Sequence, residues 1–255
     1  MLIATWNVNS IRARHERLVA FLERHTPDVV CLQELKCEAE VLEALNLESL
    51  GYQVAANCQK TYNGVAILSK RPIEDVAIGL GDGEDDPQAR LVSATIDGVR
   101  VVSAYIPNGG EVGSDKYVYK LRWLERLRAW LDAHCDPTRP LALCGDFNVA
   151  PEARDVFDPA AMEGDTLFHA DSRDRLQRIL DWGLVDTFRL QHEDAGLYSW
   201  WDYRMLAFPK NRGFRIDLIL ATPSLASRVE GSSIDREERK GKQPSDHAPV
   251  LVKIA

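Results

Sequence analysis

The sequence contains no C-x-x-C pair, and its five cysteines (Cys31, Cys37, Cys58, Cys135 and Cys144) are odd in number and scattered. That argues against a disulfide framework and a structural zinc site, and it fits a reducing cytosol. No run approaches the roughly 18 consecutive apolar residues of a membrane span, and the opening MLIATWNVNS has no charged leader ahead of an apolar segment. A cytoplasmic location with no membrane partner is expected. Low-complexity tracts, linkers and repeats of solenoid period are also missing. Nor is there a surplus of cations: the formal net charge is −8, which looks wrong for a protein that binds nucleic acid. Net charge governs solubility and long-range steering, however, whereas binding depends on where the cations sit. Acidic groups cluster in DGEDD (Asp82–Asp86), while cations gather in KYVYKLR (Lys116–Arg122), RDRLQR (Arg173–Arg178), YRMLAFPKNRGFR (Tyr203–Arg215) and REERKGK (Arg236–Lys242). Composition therefore leaves the partner open.

What is present is an ordinary supply of core-forming material, 45% hydrophobic and 27% charged over 255 residues, and a single domain spanning residues 1–255 is expected. Short apolar runs read as strands: LIATWN (Leu2–Asn7), DVVCLQ (Asp28–Gln33), GVAILS (Gly64–Ser69), RLVSATI (Arg90–Ile96), VRVVSAYI (Val99–Ile106), PLALCGD (Pro140–Asp146), RIDLILA (Arg215–Ala221) and APVLVKI (Ala248–Ile254). Between them, apolar residues at helical spacing predict helices around Ile11–Leu22, with Ser10 as N-cap, around Leu121–Leu131, and around Leu176–Leu180. DGVR (Asp97–Arg100) is a hairpin turn signal. Hairpins mixed with interspersed helices predict mixed sheets packed together and flanked by helices.

Polar residues stand where these strands stop. Asn7 ends the first, Glu34 follows the second, and Asp146 and Asn148 end a later one, around Phe147. A strand period of two would set Asp146 and Asn148 on one side. Asn7-Val8-Asn9 faintly echoes Asp146-Phe147-Asn148. Asp217 sits inside an apolar strand, where a lone carboxylate is costly to bury, and Asp246-His247 precedes the last strand. Strand ends on one sheet edge converge, and carboxylates, amides and a histidine brought together would repel unless a cation sat among them. Oxygen donors without cysteine suit a hard ion, Mg²⁺ or Mn²⁺ rather than zinc. Phosphoester chemistry is the natural use of such a set.

The stretches TWNVNSIRAR, CLQELKC, NGVAILSK, SAYIPNG, CGDFNVAP, YSWWDYR, GFRIDLIL and SDHAPVLV, in this order from one end of the chain to the other, resemble the exonuclease/endonuclease/phosphatase superfamily, in its exonuclease III branch of apurinic/apyrimidinic endonucleases. The resemblance implies a four-layered α/β sandwich, two mixed β-sheets face to face with helices outside. It implies a Mg²⁺-dependent phosphodiesterase, with Mn²⁺ able to substitute, acting as a monomer on double-stranded DNA with abasic sites or blocked 3′ ends. Carried over residue by residue, Glu34 binds the metal, with Asn7, Asn9 and Asp246 close by. Asp146 orients or deprotonates the attacking water, Asn148 serves the phosphate or that water, and His247, held by Asp217, contacts a phosphate oxygen. Tyr105 and Asn108 contact the scissile phosphate, Lys36 lies near the acidic cluster, and Trp200, Phe214 and Ile216 line a small apolar pocket for a baseless sugar. Arg204 and the GGEVGSDKYVYK segment (Gly109–Lys120) lie near the DNA groove. Some relatives carry a carboxylate where this chain has Asn9. Two rival readings share the core residues: a phosphatase or phospholipase cousin, and a catalytically silent nucleic-acid-binding regulator. The first fits poorly with SWWDYR and GFRID, and the second with the presence of Glu34, Asp146 and His247 together.

Overall fold

Two parallel strand pairs, one in each of two sheets, organise this protein. The structure is a computed structural model describing residues 1–255. Its strands are β1 (Leu2–Asn7), β2 (Val29–Gln33), β3 (Gln53–Asn57), β4 (Val65–Ser69), β5 (Glu74–Ile78), β6 (Leu91–Ile96), β7 (Val99–Tyr105), β8 (Leu141–Asp146), β9 (Val185–Asp186), β10 (Asp217–Ala221), β11 (Val229–Ile234) and β12 (Val250–Ile254). They form two six-stranded sheets, ordered β11-β12-β1-β2-β4-β3 and β5-β6-β7-β8-β10-β9. Most pairs are antiparallel, but β1 with β2 and β7 with β8 run parallel. A parallel pair needs a crossover, supplied by helices His15–His25 and Asp115–His134.

The chemistry of the runs explains the layers. β2 (VVCLQ) and β4 (VAILS) are buried along their whole length, as β-branched strands covered on both faces must be. Val29, Cys31, Val65 and Ile67 meet Val101, Ala142, Cys144 and Ile219 between the sheets. On the outer face of the first sheet, Leu18, Phe21 and Leu22 of the His15–His25 helix cover Ala4, Trp6, Val30 and Leu32. On the second, Trp123, Leu124, Leu127 and Leu131 and, from helix Ala170–Leu180, Leu176 and Ile179 cover Val102, Leu143 and Leu220. The layers are therefore helix, sheet, sheet, helix, the four-layered sandwich that the resemblance implies. Trimming one inter-sheet side chain, Ile219 to Ala, would cost on the order of 2–5 kcal/mol. No helix is long and apolar enough to cross a membrane.

A polar seam runs through this otherwise apolar interface. Gln33 Nε2 donates to Thr5 Oγ1 (3.1 Å) and to Ser103 Oγ (3.2 Å), and Ser103 Oγ donates to the Leu32 carbonyl (3.3 Å), linking the two sheets behind the strand ends. Buried polar groups that satisfy one another fix one sheet against the other.

Two local expectations fare differently. DGVR forms the β6–β7 hairpin, with Asp97 and Gly98 both at positive φ (49° and 76°), as its turn signal predicts. Ser10 is not the N-cap of the first helix. Its backbone is left-handed (φ 86°), its N–H goes to the Glu34 carbonyl (2.8 Å) and the helix begins only at His15, because Ile11–Arg14 form turns that tie the end of β1 to the segment after β2.

Candidate active site

The carboxyl ends of the two parallel pairs face one another, and the candidate residues hang from them. β1 ends at Asn7, and β2 runs into Glu34. In the other sheet, Tyr105 and Asp146 are register partners across β7–β8, and Asp146 and Asp217 across β8–β10. Gly145 makes this close pairing possible, since a Cβ there would lie 1.9 Å from the Ala104 carbonyl oxygen.

The two strand ends turn in the same way. The Asn9 N–H donates to Asn7 Oδ1, and the Asn148 N–H to Asp146 Oδ1, each at 2.9 Å. Asn9 and Asn148 both take positive φ (43° and 49°). These are Asx turns, which asparagine and aspartate favour because the side chain replaces a backbone acceptor. The echo between Asn7-Val8-Asn9 and Asp146-Phe147-Asn148 is thus a shared geometry. It also corrects the period-two argument: the strand stops at Asp146, and Asn148 is brought alongside by the turn rather than by strand alternation.

Between these ends lies a compact polar cluster. Asn7 Nδ2 bridges the sheets, donating to Glu34 Oε1 (2.8 Å) and to Asp146 Oδ2 (2.9 Å). Tyr105 Oη also donates to Glu34 Oε1 (2.8 Å), and Lys36 Nζ sits 2.6 Å from Oε2 and 2.7 Å from Asn9 Oδ1. Burial opposes the Glu34 charge, but Lys36 and Asn7 outweigh it and hold the carboxyl below its usual range. His247 Nδ1 lies 2.9 and 3.1 Å from the two Asp217 oxygens, and its Nε2 points toward Asp146 Oδ2 at 3.7 Å. Burial disfavours the imidazolium, yet Asp217 and Asp146 overcome it and raise the His247 pKa to about 10. Asp146 is pushed the other way for a carboxylate, up to about 7, first by burial, then by the negative charge of Asp217 and Glu34, against the pull of His247.

Glu34, Asp146 and His247 each offer a ligand atom within 4.8 Å of the others. A carboxyl driven toward neutrality by burial and by neighbouring carboxylates marks an unmet need for positive charge, so the donor set fits a hard divalent cation. Asp246 stands one step back: Oδ1 accepts from Asn9 Nδ2 and Oδ2 from Trp200 Nε1, both at 2.9 Å.

The substrate-side candidates divide. Asn108 Nδ2 donates to Asn148 Oδ1 (3.0 Å), and Asn148 Nδ2 to the Ile106 carbonyl (2.9 Å), so these two amides form one unit beside Asp146. Phe214 and Ile216 are buried against Val156, Leu167 and Phe168, with Trp200 partly exposed at the rim, its ring 5.8 Å from Phe214 and 6.5 Å from His247. Arg204 is not brought to the cluster. Its guanidinium is exposed and bonded to Asp202 (2.7 Å), in a loop that also presents Tyr203, Met205 and Leu206 to solvent.

Three supporting residues carry no signal in the sequence. Ser199 Oγ accepts the N–H groups of Ile216 and Asp217 (3.1 Å each), and Ser245 Oγ donates to the Asn7 carbonyl (2.7 Å) while accepting the His247 N–H (3.2 Å). Both serines lie within the YSWWDYR and SDHAPVLV stretches, but hydroxyls that steer backbone have no characteristic spacing. Lys120 belongs to a run of cations that reads as surface. It is fully buried instead, donating to the carbonyls of Asn108 (3.2 Å), Asn148 (2.6 Å) and Thr166 (2.7 Å). Burial lowers its pKa to about 7.

The family profile described as Endonuclease/Exonuclease/phosphatase matches residues 4–247, which carry every residue of this cluster. The chain belongs to this family. Within it, the chain is 34% identical to an exodeoxyribonuclease of Bacillus subtilis, over 100% of this chain and 99% of that protein. Among solved structures it resembles an AP endonuclease from Archaeoglobus fulgidus, with 40% identity, a TM-score of 0.96 and coverage of 100% of this chain and 99% of that one. It also resembles a 3′ phosphatase from Neisseria bound to a product DNA hairpin, with 38% identity, a TM-score of 0.96 and the same coverage.

Proposed function

We propose that the chain is a metal-dependent DNA-repair phosphodiesterase that hydrolyses duplex DNA 5′ to abasic sites and removes nucleotides or blocking groups from 3′ ends. The observation that carries this reading is the group of Glu34, Asp146 and His247, with His247 held by Asp217. The family relatives named as exodeoxyribonuclease, AP endonuclease and 3′ phosphatase support it. Mg²⁺ is the proposed ion, with Mn²⁺ as substitute, held by Glu34 with Asp146 adjacent. Bound there, a divalent cation would neutralise phosphate charge and stabilise the departing 3′ oxygen.

The chain's own groups divide the remaining work. Asp146, beside the proposed metal position and held by Asn7 and the Asn148 N–H, is placed to accept a proton from an attacking water. His247, kept cationic by Asp217, presents Nε2 to a non-bridging oxygen where charge grows in the transition state. Asn108, oriented by its bond to Asn148, has one amide N–H left to offer the phosphate, and Tyr105 keeps Glu34 oriented beside it. Trp200, Phe214 and Ile216 would admit a sugar that lacks its base. Local cations outside the ion pairs, such as the exposed Lys116, would reconcile DNA binding with an acidic whole. We place the protein in the cytoplasm, as one domain and as a monomer.

The test is a labelled duplex with one central abasic analogue, incubated with Mg²⁺ or with EDTA beside an intact duplex. Mg²⁺-dependent incision 5′ to the lesion, leaving a 3′-hydroxyl, is expected. Folded protein that cleaves neither substrate nor a blocked 3′ end would overturn the reading.

A further inference from the structure

We propose that Arg90 is a positioning residue for Glu34, acting through two chains of contacts that converge on its carboxylate; the inference rests on the reading of Glu34 as a metal ligand. Arg90 lies just ahead of β6 and is buried, 8% exposed. It makes no hydrogen bond to Asp146, His247 or Glu34. Its side chain instead holds the two structures that grip the two oxygens of Glu34.

The first chain runs through Tyr105. The Arg90 guanidinium lies over the Tyr105 ring, 4.7 Å from its centroid, and Nη1 donates to the Tyr105 carbonyl (3.0 Å), while the Tyr105 N–H returns to the Arg90 carbonyl (2.8 Å). Ring and backbone of Tyr105 are thereby fixed together, and its hydroxyl donates to Glu34 Oε1. The Tyr119 ring, 5.9 Å away, lies on the same guanidinium.

The second chain runs through the loop before β4. Arg90 Nε donates to Gln88 Oε1 (2.8 Å), which also accepts from Asn63 Nδ2 (3.4 Å). The Gly64 N–H goes to the Ala89 carbonyl (2.9 Å), so residues 88–90 anchor this loop at several points. In turn, the Asn63 carbonyl accepts the Lys36 N–H (2.9 Å) and the Gly64 carbonyl accepts the Leu35 N–H (3.1 Å). Lys36 Nζ then meets Glu34 Oε2. This grip matters because Glu34 and Lys36 both stand at φ 53°, a left-handed conformation that non-glycine residues hold only when their surroundings impose it. A planar group that stacks on a ring while donating along two divergent directions is arginine chemistry, and lysine reproduces only the charge.

The test measures Mn²⁺ binding by calorimetry on full-length protein without DNA, together with the Mg²⁺ dependence of cleavage, for Arg90→Met, Arg90→Lys and Gln88→Ala, with Glu34→Gln alongside. Loss of a partner that orients a metal ligand typically costs ~10–100-fold in metal affinity. Arg90→Met should therefore weaken Mn²⁺ binding about 10-fold and raise half-saturating Mg²⁺ by the same factor, with kcat at saturating metal falling less and KM for DNA unmoved. Arg90→Lys should recover part of the loss, and Gln88→Ala should show a smaller one. Should Arg90→Met fail to fold, Arg90→Lys and Gln88→Ala decide: unchanged Mn²⁺ affinity in both overturns the inference. A lower Tm in Arg90→Met with wild-type Mn²⁺ affinity overturns it as well, by making Arg90 a stabilising residue only. If Glu34→Gln loses Mn²⁺ and the Arg90 variants do not, this inference alone fails. If Glu34→Gln binds as wild type does, the ligand reading falls and takes the inference with it.

Discussion

Replacing Asp146 with asparagine should stabilise the metal-free protein while abolishing hydrolysis. Asp146 is 1% exposed and shares its surroundings with Asp217 and Glu34, which, with burial, lift its pKa from 3.8 to about 7. Moving a pKa by one pH unit is worth about 1.4 kcal/mol, so the ionised carboxylate costs the metal-free fold roughly 4 kcal/mol at pH 8. The sign follows from the direction. A carboxyl whose folded pKa is raised gives its full contribution below the unfolded pKa near 4 and loses it as pH rises through about 7. Asparagine removes that loss but sets an amide against the Asn7 amide that now donates to Asp146 Oδ2, which returns about 1 kcal/mol. The net gain is about 3 kcal/mol at pH 8 and close to nothing at pH 5, or on the order of 6–12 °C in Tm for a chain of this size. Thermal unfolding in EDTA at the two pH values measures it, and adding Mg²⁺ should narrow the gap by stabilising wild type more than the variant, which keeps Glu34 but lacks the neighbouring carboxylate. A variant no more stable than wild type at pH 8, or one gaining equally at both pH values, would refute the electrostatic account.

Three further outcomes are expected. Asp217→Asn removes the largest charge supporting the imidazolium, so the alkaline limb of the rate–pH profile should move at least about one unit lower, and the loss of activity should be greater at pH 9 than at pH 6. Arg215→Leu leaves Asp186 without its cation and Asp155 with Arg189 alone, after removing a guanidinium that meets both carboxylates at 2.7 Å, and should cost about 3–5 kcal/mol in denaturant unfolding. Lys120→Met leaves the carbonyls of Asn108, Asn148 and Thr166 without their shared donor; steady-state kinetics should show kcat/KM for DNA reduced about 10- to 100-fold with metal half-saturation unchanged.

The strands that the sequence announces are those with a buried face to fill. All eight apolar runs form strands with ends displaced by no more than two residues, because continuous Val, Ile and Leu cannot be left in water. β3, β5 and β11 give no such signal. They lie at or near sheet edges, β5 is exposed at every residue, and such strands owe their existence to a neighbour's hydrogen bonds rather than to their own pattern. At the site, Glu34, Asp146, Asp217 and His247 are legible because charge at the end of an apolar run is conspicuous. Their supports are not. Lys120 looks like any lysine of an amphipathic helix until three carbonyls from distant segments close on it, and Arg90 looks like a strand's polar first residue until Tyr105 stacks beneath it. Asn148 is legible as a site residue but not in its placement, which depends on a left-handed turn that no alternation rule contains.

The order of the first sheet has a consequence for how the chain comes into being. β1 is made before the other eleven strands, yet it lies between β2 and β12, and its Trp6 indole donates to the carbonyl of His247 (3.2 Å). During synthesis, β1 must therefore wait with one edge bare for a partner made 245 to 251 residues later. Pairings of such long range are slow to form, and open strand edges invite association with other chains. On the proposed roles of these residues, the same wait would keep a half-made chain from cutting. His247 arrives with the strand that closes the sheet, so a ribosome-bound fragment would hold Glu34 and Asp146 without the imidazole opposite them, and the capacity to cut nucleic acid would appear only as that edge is sealed.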